Sequence, residues 1–153
     1  MGSCRARANH GLYMAGILLA AWRRDAADEI IPAATLSQAY LPGVRAQLQQ
    51  AYGWFLLEIL RPEPMPAVPP RTCAALPGIA AGKALPGEIR EFAQLEATGW
   101  LAGLLATGDL QVTGNAPDNL AAGPAFITPA EAAGWADALQ VQFERMADSL
   151  DEY

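Results

Sequence analysis

Apolar residues recur at alternating intervals of four and three in two widely separated parts of the chain. This spacing keeps successive residues on one face of an α-helix, because the helix completes a turn about every 3.6 residues. Only residues 110–113 show even a weak strand-like alternation. The two stripes are Ala8, Leu12, Ala15, Leu19, Trp22 and Ala26, and Ala132, Ala136, Leu139, Phe143, Met146 and Leu150. The sequence therefore predicts one long helix near each end of the chain.

Two further helices are predicted between these stripes. Thr35 and Gln38 have the spacing of a capping box, and Pro42-Gly43 is expected to kink the second helix or split its first turn from the rest. The third helix is expected to end at Gly108. The inward positions are Leu41, Val44, Leu48, Ala51, Phe55 and Ile59 in the second helix, and Ile89, Phe92, Leu95, Gly99, Ala102 and Ala106 in the third.

The last helix carries the clearest start signal in the chain. Thr128 is suited to the N-cap, Pro129 to the first helical position and Glu131 to the third position after the cap. From Arg61 to Gly87 there are seven prolines, which predict a long irregular connection with one helical turn near Ala80. A polar loop is expected over residues 109–127.

These elements predict an all-α fold, an antiparallel four-helix bundle with a long Pro-rich connection between helices two and three. The predicted helices cover residues 4–29, 35–60, 86–107 and 129–150, with irregular segments at 61–85 and 108–128. A length of 153 residues suits a single helical domain, 1–153, which can bury a sizeable core.

The first helix poses a question of location, because twelve uncharged residues, 11–22, lie between two pairs of arginines. A membrane-spanning helix needs about 20 apolar residues. A signal peptide needs small residues before its cleavage site, where this chain has Leu18 and Leu19. We therefore predict an internal core helix with no stable membrane anchor. A second apolar stripe, His10, Met14, Ile17 and Ala21, gives this helix two apolar faces.

Charge and cysteine content limit the partners and the compartment. The net charge is −6, with +2 on residues 1–61 and −8 on residues 62–153. DNA binding is therefore not expected and RNA binding is unfavourable. Cys4 and Cys73 show neither a disulfide framework nor zinc spacing, which is typical of a cytoplasmic protein. With one histidine in the chain, no metal site and no cofactor are predicted.

Arg5 and His10 form the one pattern that suggests catalysis. Their Arg-x4-His spacing resembles the motif of HEPN ribonucleases, in which an arginine would hold a phosphate while a histidine moves a proton. In that family the motif usually lies late in the domain, whereas here it opens the first helix. The alternative interpretation is a surface arginine and a partly buried, hydrogen-bonded histidine.

Glu58 is a charged residue close to the apolar stripe of the second helix. An unpaired charge there would be costly. We predict a buried ion pair between Glu58 and Arg61, or with an arginine of the first helix. No catalytic residue is assigned.

Two segments resemble a family of small uncharacterised proteins from Pseudomonas-like proteobacteria, described as a domain of unknown function. They are residues 7–15, RANHGLYMA, followed by Trp22, and residues 51–59, AYGWFLLEI. The resemblance implies a bacterial cytosolic protein and assigns no activity.

The predicted function is non-enzymatic and operates through contacts with a protein partner or with a second copy. It rests on the first helix, whose apolar surface exceeds what one neighbour can cover. Two alternatives remain open at this point: a HEPN-like ribonuclease using Arg5 and His10, and a peripheral protein whose apolar N-terminus lies on lipid.

Overall fold

The computed structural model describes residues 3–77, 85–106 and 126–151. Over these ranges the chain forms five α-helices and one 3-10 helix, with no strand. The fold is therefore all-helical in every part that the structure describes. The helices are α1 (Cys4–Asp28), α2 (Ala33–Leu60), the 3-10 helix (Cys73–Ala75), α3 (Gly87–Thr98), α4 (Leu101–Leu105) and α5 (Pro129–Asp151).

Helix α1 begins where Ser3 caps it and ends one residue earlier than predicted. The Ser3 hydroxyl accepts the backbone N–H of Ala6 at 3.0 Å, and Glu29 closes the helix with a positive φ of 54°. The predicted stripe is confirmed, with its members buried or half-buried. The second stripe is only partly covered: His10 and Ile17 are exposed and Met14 and Ala21 half-buried, because α2 and α5 cover the other sides of the helix.

Helix α2 has a different start from the one the sequence suggests. It begins directly after Pro32, whose fixed φ suits a helix entrance, and Thr35 and Gln38 lie inside it, so the predicted capping box is wrong. Pro42 also lies inside one continuous helix, so the first turn is not split off. All six predicted inward residues are buried, and residues 51–57 are buried on every side. Helix α2 is therefore the central helix of the core.

The predicted third helix is interrupted. Gly99 adopts an extended conformation between α3 and α4, which is consistent with the low helix propensity of glycine. The interruption changes which residues point into the core. Ile89 and Phe92 are buried as predicted, whereas Ala102 and Ala106 are exposed. Leu101 and Leu104 are buried in their place. The predicted stop at Gly108 lies outside the described residues.

Helix α5 follows its predicted start closely. The Thr128 hydroxyl accepts the backbone N–H of Glu131 at 3.2 Å, as an N-cap does. Its stripe also lies inward, with every member buried or half-buried. The segment before this helix and the predicted turn near Ala80 fall largely outside the described residues, as does the strand-like pattern at 110–113.

Aromatic contacts join the helices in the core. Phe55 of α2 stacks on Phe143 of α5 with ring centroids 4.1 Å apart. Tyr52 and Phe55 both meet the edge or face of Phe92 from α3, at 5.2 and 6.3 Å. At the other end of α2, Tyr40 stacks on Trp22 of α1. Helix α2 thus contacts every other α-helix, and this arrangement decides which faces of α1 and α5 stay uncovered.

Candidate functional site

Arg5 joins the ends of three helices through two carboxylates. Its guanidinium donates to both oxygens of Asp151 on α5 at 3.3 and 3.1 Å, and lies 3.2 Å from Oε2 of Glu58 on α2. The same Glu58 oxygen is 3.4 Å from Nη2 of Arg61. The structure thus brings Glu58 and Arg61 together and adds Arg5 and Asp151 to them. The Glu58 side chain is 12% exposed and that of Arg61 is 67% exposed, so the pair spans the edge of the core.

The hydrogen bond between Arg5 and Asp151 stabilises the charged form of both groups. It raises the pKa of the Arg5 guanidinium and lowers the pKa of the Asp151 carboxyl. Arg5 therefore has two anionic partners within the chain. A phosphate could bind this guanidinium only by displacing one of these two carboxylates.

Arg5 and His10 line different grooves beside α1. Arg5 lies on a groove of about 450 Å³ between α1 and α5, floored by Phe55 and Phe143. His10 lies on a groove of about 380 Å³ between α1 and α2, where the Arg7 guanidinium sits 4.6 Å from the ring centre of Trp54. Five residues along a helix correspond to a rotation of about 140°. The two residues of the suggested nuclease pattern are thus not brought together.

His10 differs from its predicted environment as well. The residue is exposed rather than partly buried, and no residue that the structure describes hydrogen-bonds its imidazole. It lies at the open edge of the groove between α1 and α2, so its side chain stays in contact with solvent. The prediction of a partly buried, hydrogen-bonded histidine is therefore wrong.

A polar cluster that sequence reasoning missed lies between α2, α3 and the 3-10 helix. One oxygen of Glu96 accepts the Tyr52 hydroxyl at 2.5 Å and the backbone N–H of Cys73 at 2.9 Å. The Cys73 sulfur is 3.5 Å from the Tyr52 hydroxyl. Burial raises the pKa of the Cys73 thiol to about 12 and raises that of Tyr52 strongly, so both stay protonated at neutral pH. The available signal was Tyr52 itself, since a tyrosine within an apolar run needs a partner for its hydroxyl when buried.

The outer surface of α1 and α5 exposes several large apolar side chains. Tyr13 is 67% exposed, Ile17 49% and Val141 62%. No charged residue lies between Arg7 and Arg23. We call this surface the α1/α5 face, and it comprises Tyr13, Ile17, Ala20 and Arg24 of α1 with Val141, Glu144 and Asp148 of α5, all of them exposed.

Within the three described ranges, no three His, Cys, Asp or Glu side chains come together as metal ligands could. In the same ranges, every helix falls short of the length or apolarity that crossing a bilayer requires.

The chain was compared with protein families, with curated proteins and with solved structures. No curated protein and no solved structure matched it. The family match extends over residues 1–153, which include both segments whose pattern suggested an uncharacterised family. The chain therefore belongs to DUF6586, a family of unknown function.

Proposed function

We propose that this protein is a non-enzymatic interaction protein that acts by self-association, with a second copy docking on the α1/α5 face. The observation that carries the proposal is the exposure of Tyr13, Ile17 and Val141 on two adjacent helices. Large apolar side chains grouped on a helical surface typically mark contact sites. The proposal involves no nucleic acid and no cofactor.

Charge complementarity favours a second copy as the occupant. Arg5 contacts Asp151, so the start of α1 lies beside the end of α5. Glu144 and Asp148 therefore lie toward that end of the α1/α5 face, while Arg23 and Arg24 lie at the opposite end of α1. A two-fold axis through the apolar centre would place Arg23 and Arg24 of one copy opposite Glu144 and Asp148 of the other. Such a surface is self-complementary, as a two-fold dimer requires.

We also propose that the architecture is one antiparallel four-helix bundle, with α3 and α4 together acting as its third helix. Two contacts between α1 and α2 support opposite directions: Trp22 meets Tyr40, and Arg7 meets Trp54. Contacts of α2 with α5 run in the same direction, since Arg45 lies over Trp135 and Phe55 stacks on Phe143. The Pro-rich segment then connects the second helix to the third.

A bacterial cytoplasm is the proposed location. Both cysteines, Cys4 and Cys73, are free thiols, as a reducing compartment allows. This location would leave the α1/α5 face available to a second copy made in the same cell.

Replacing Ile17 with glutamate tests the proposed interface. Ile17 is half-exposed in one chain, so Ile17→Glu should fold normally, with an unchanged far-ultraviolet circular dichroism spectrum. Across a two-fold interface it would bury two unpaired carboxylates, so the dimer dissociation constant should rise by about 100-fold or more. Sedimentation velocity over a dilution series measures this constant.

The matched control is Val68→Glu, which adds the same charge at a 74% exposed residue of the Pro-rich connection. It should leave the dissociation constant unchanged. A wild-type protein that sediments as a monomer throughout the series, or an Ile17→Glu variant that dimerises like the control, would refute the proposal.

A further inference from the structure

The Pro-rich segment after α2 lies back over the core as a covering strap. We define the strap as residues 62–77. It leaves α2 at Arg61, passes Gly53 with Pro69 and Pro70, and reaches α3 at Cys73. Within the strap only Cys73 and Leu76 are buried. The segment is thus held to the helices at few points, most of them near its end.

The hydrogen bonds of the strap are unlike those of the helices it covers. Among the described residues, no backbone-to-backbone hydrogen bond joins residues 62–77 to an α-helix, and its own backbone bonds are two within residues 72–76. Six of its sixteen residues are prolines, which have no N–H to satisfy. Lifting the strap into water would therefore break few backbone hydrogen bonds.

A single carboxylate provides the main polar attachment. Oε2 of Glu96 accepts the backbone N–H of Cys73 from the strap and the hydroxyl of Tyr52 from α2. The thiol of Cys73 also lies 3.7 Å from the Ile89 carbonyl oxygen. Hydrogen bonds to a charged acceptor are stronger than those between neutral groups. Glu96 thus fastens the strap to two helices at once.

The strap covers aromatic side chains and contacts the helix backbone directly. Tyr52 and Phe92, fully buried, lie edge to face where the strap reaches α3. A Cβ atom placed on Gly53 would come within 2.3 Å of the Pro70 carbonyl oxygen. The strap can take this path only because residue 53 has no side chain.

From this arrangement we propose that the strap opens and closes as a unit while the helices stay folded. The Glu96 carboxylate holds the strap closed, and Gly53 leaves the space in which Pro70 packs on α2. In the closed state the thiol of Cys73 and the ring of Tyr52 are shielded. In the open state both become accessible to solvent. Local openings of this kind need less free energy than global unfolding, because the contacts between the helices are kept.

Thiol labelling of the full chain measures the opening. Cys4→Ser leaves Cys73 as the one thiol, and the labelling rate with a disulfide reagent then reports how often the strap opens. Because Cys4 Sγ lies 3.7 Å from Met65 Sδ of the strap, all labelling rates are compared within this one background. The rate in the Cys4→Ser parent should depend weakly on urea at low concentrations, because opening the strap exposes far less surface than global unfolding. A steep dependence parallel to that of global unfolding would overturn the proposal.

Two variants test the hydrogen bonds of Glu96 and the packing on Gly53 separately. In the Cys4→Ser background, Glu96→Gln weakens the shared acceptor and should raise the labelling rate by about tenfold. In Gly53→Ala the added methyl group displaces the strap from α2, so the labelling rate should rise to a similar degree. The labelling rate should increase by more than the equilibrium constant for global unfolding measured on the same variant.

Matched controls use the same substitutions where the strap is not involved. Glu91→Gln changes an exposed residue of α3 that pairs with Arg145 of α5 and not with the strap, and Gly134→Ala adds a methyl group with no atom of another element within 4 Å of it. Both should leave the labelling rate within about twofold of the parent. Equal acceleration by the controls, or acceleration fully explained by lost global stability, would show that the strap has no opening of its own.

Discussion

Phe143→Ala is expected to lower the free energy of unfolding by about 3–5 kcal/mol. Phe143 is 4% exposed and stacks on Phe55, so truncation removes an apolar side chain and leaves a cavity between α5 and α2. Leu48→Ala, at a fully buried residue of α2, should cost about 2–5 kcal/mol. Urea titrations at one fixed protein concentration measure both changes, since self-association also contributes to stability.

Val68→Ala serves as the comparison, because Val68 is an apolar side chain that remains 74% exposed. Its effect should stay within about 0.5 kcal/mol. Losses below about 0.5 kcal/mol at both Phe143 and Leu48 would mean that the apolar stripes do not form the core.

Gly11→Val is expected to destabilise the protein by about 1–3 kcal/mol. A Cβ atom at residue 11 would lie 2.9 Å from the Cβ atom of Ala51 and 2.9 Å from the Gln47 carbonyl oxygen. The Gln47 oxygen belongs to the backbone and cannot move away by a side-chain rotation, so α1 and α2 would have to separate. Thermal or urea denaturation gives the change in stability.

The same substitution at Gly134 provides the control. A Cβ atom there would meet nothing within 4 Å, and valine has a slightly better helix propensity than glycine. Gly134→Val should therefore change stability by less than about 0.5 kcal/mol. Equal effects at the two glycines would show that α1 and α2 do not approach as closely as the structure has them.

Helix positions could be predicted where the sequence carries both a periodic stripe and a local end signal. Helix α5 is the best example, because Thr128 caps it as predicted and its start agrees to the residue. In α2 the inward stripe was correct but the start was not. Pro32 already provides an entrance there, so the helix does not need the cap that Thr35 suggested.

The features that sequence reasoning missed depend on residues far apart in the chain. Tyr52 and Glu96 are separated by 44 positions, and no periodicity links them. In the sequence Gly11 is an ordinary glycine in an apolar run, and its close approach to Ala51 is visible only in the structure. Likewise, His10 shares a stripe with Met14, but the neighbouring helices cover another side of α1. A stripe identifies the faces of a helix, and only packing decides which of them are covered.

Self-association through the α1/α5 face is the central claim, and reversing its charges tests it most directly. Arg24→Glu and Asp148→Arg each change one exposed end of the face, and each should weaken the dimer by about tenfold or more because like charges then face each other. The variant with both changes restores opposite charges across a two-fold axis. Its dissociation constant, measured by sedimentation velocity, should return to within a few-fold of the wild-type value. Additive weakening in the double variant, or single variants that dimerise like wild type, would contradict the account.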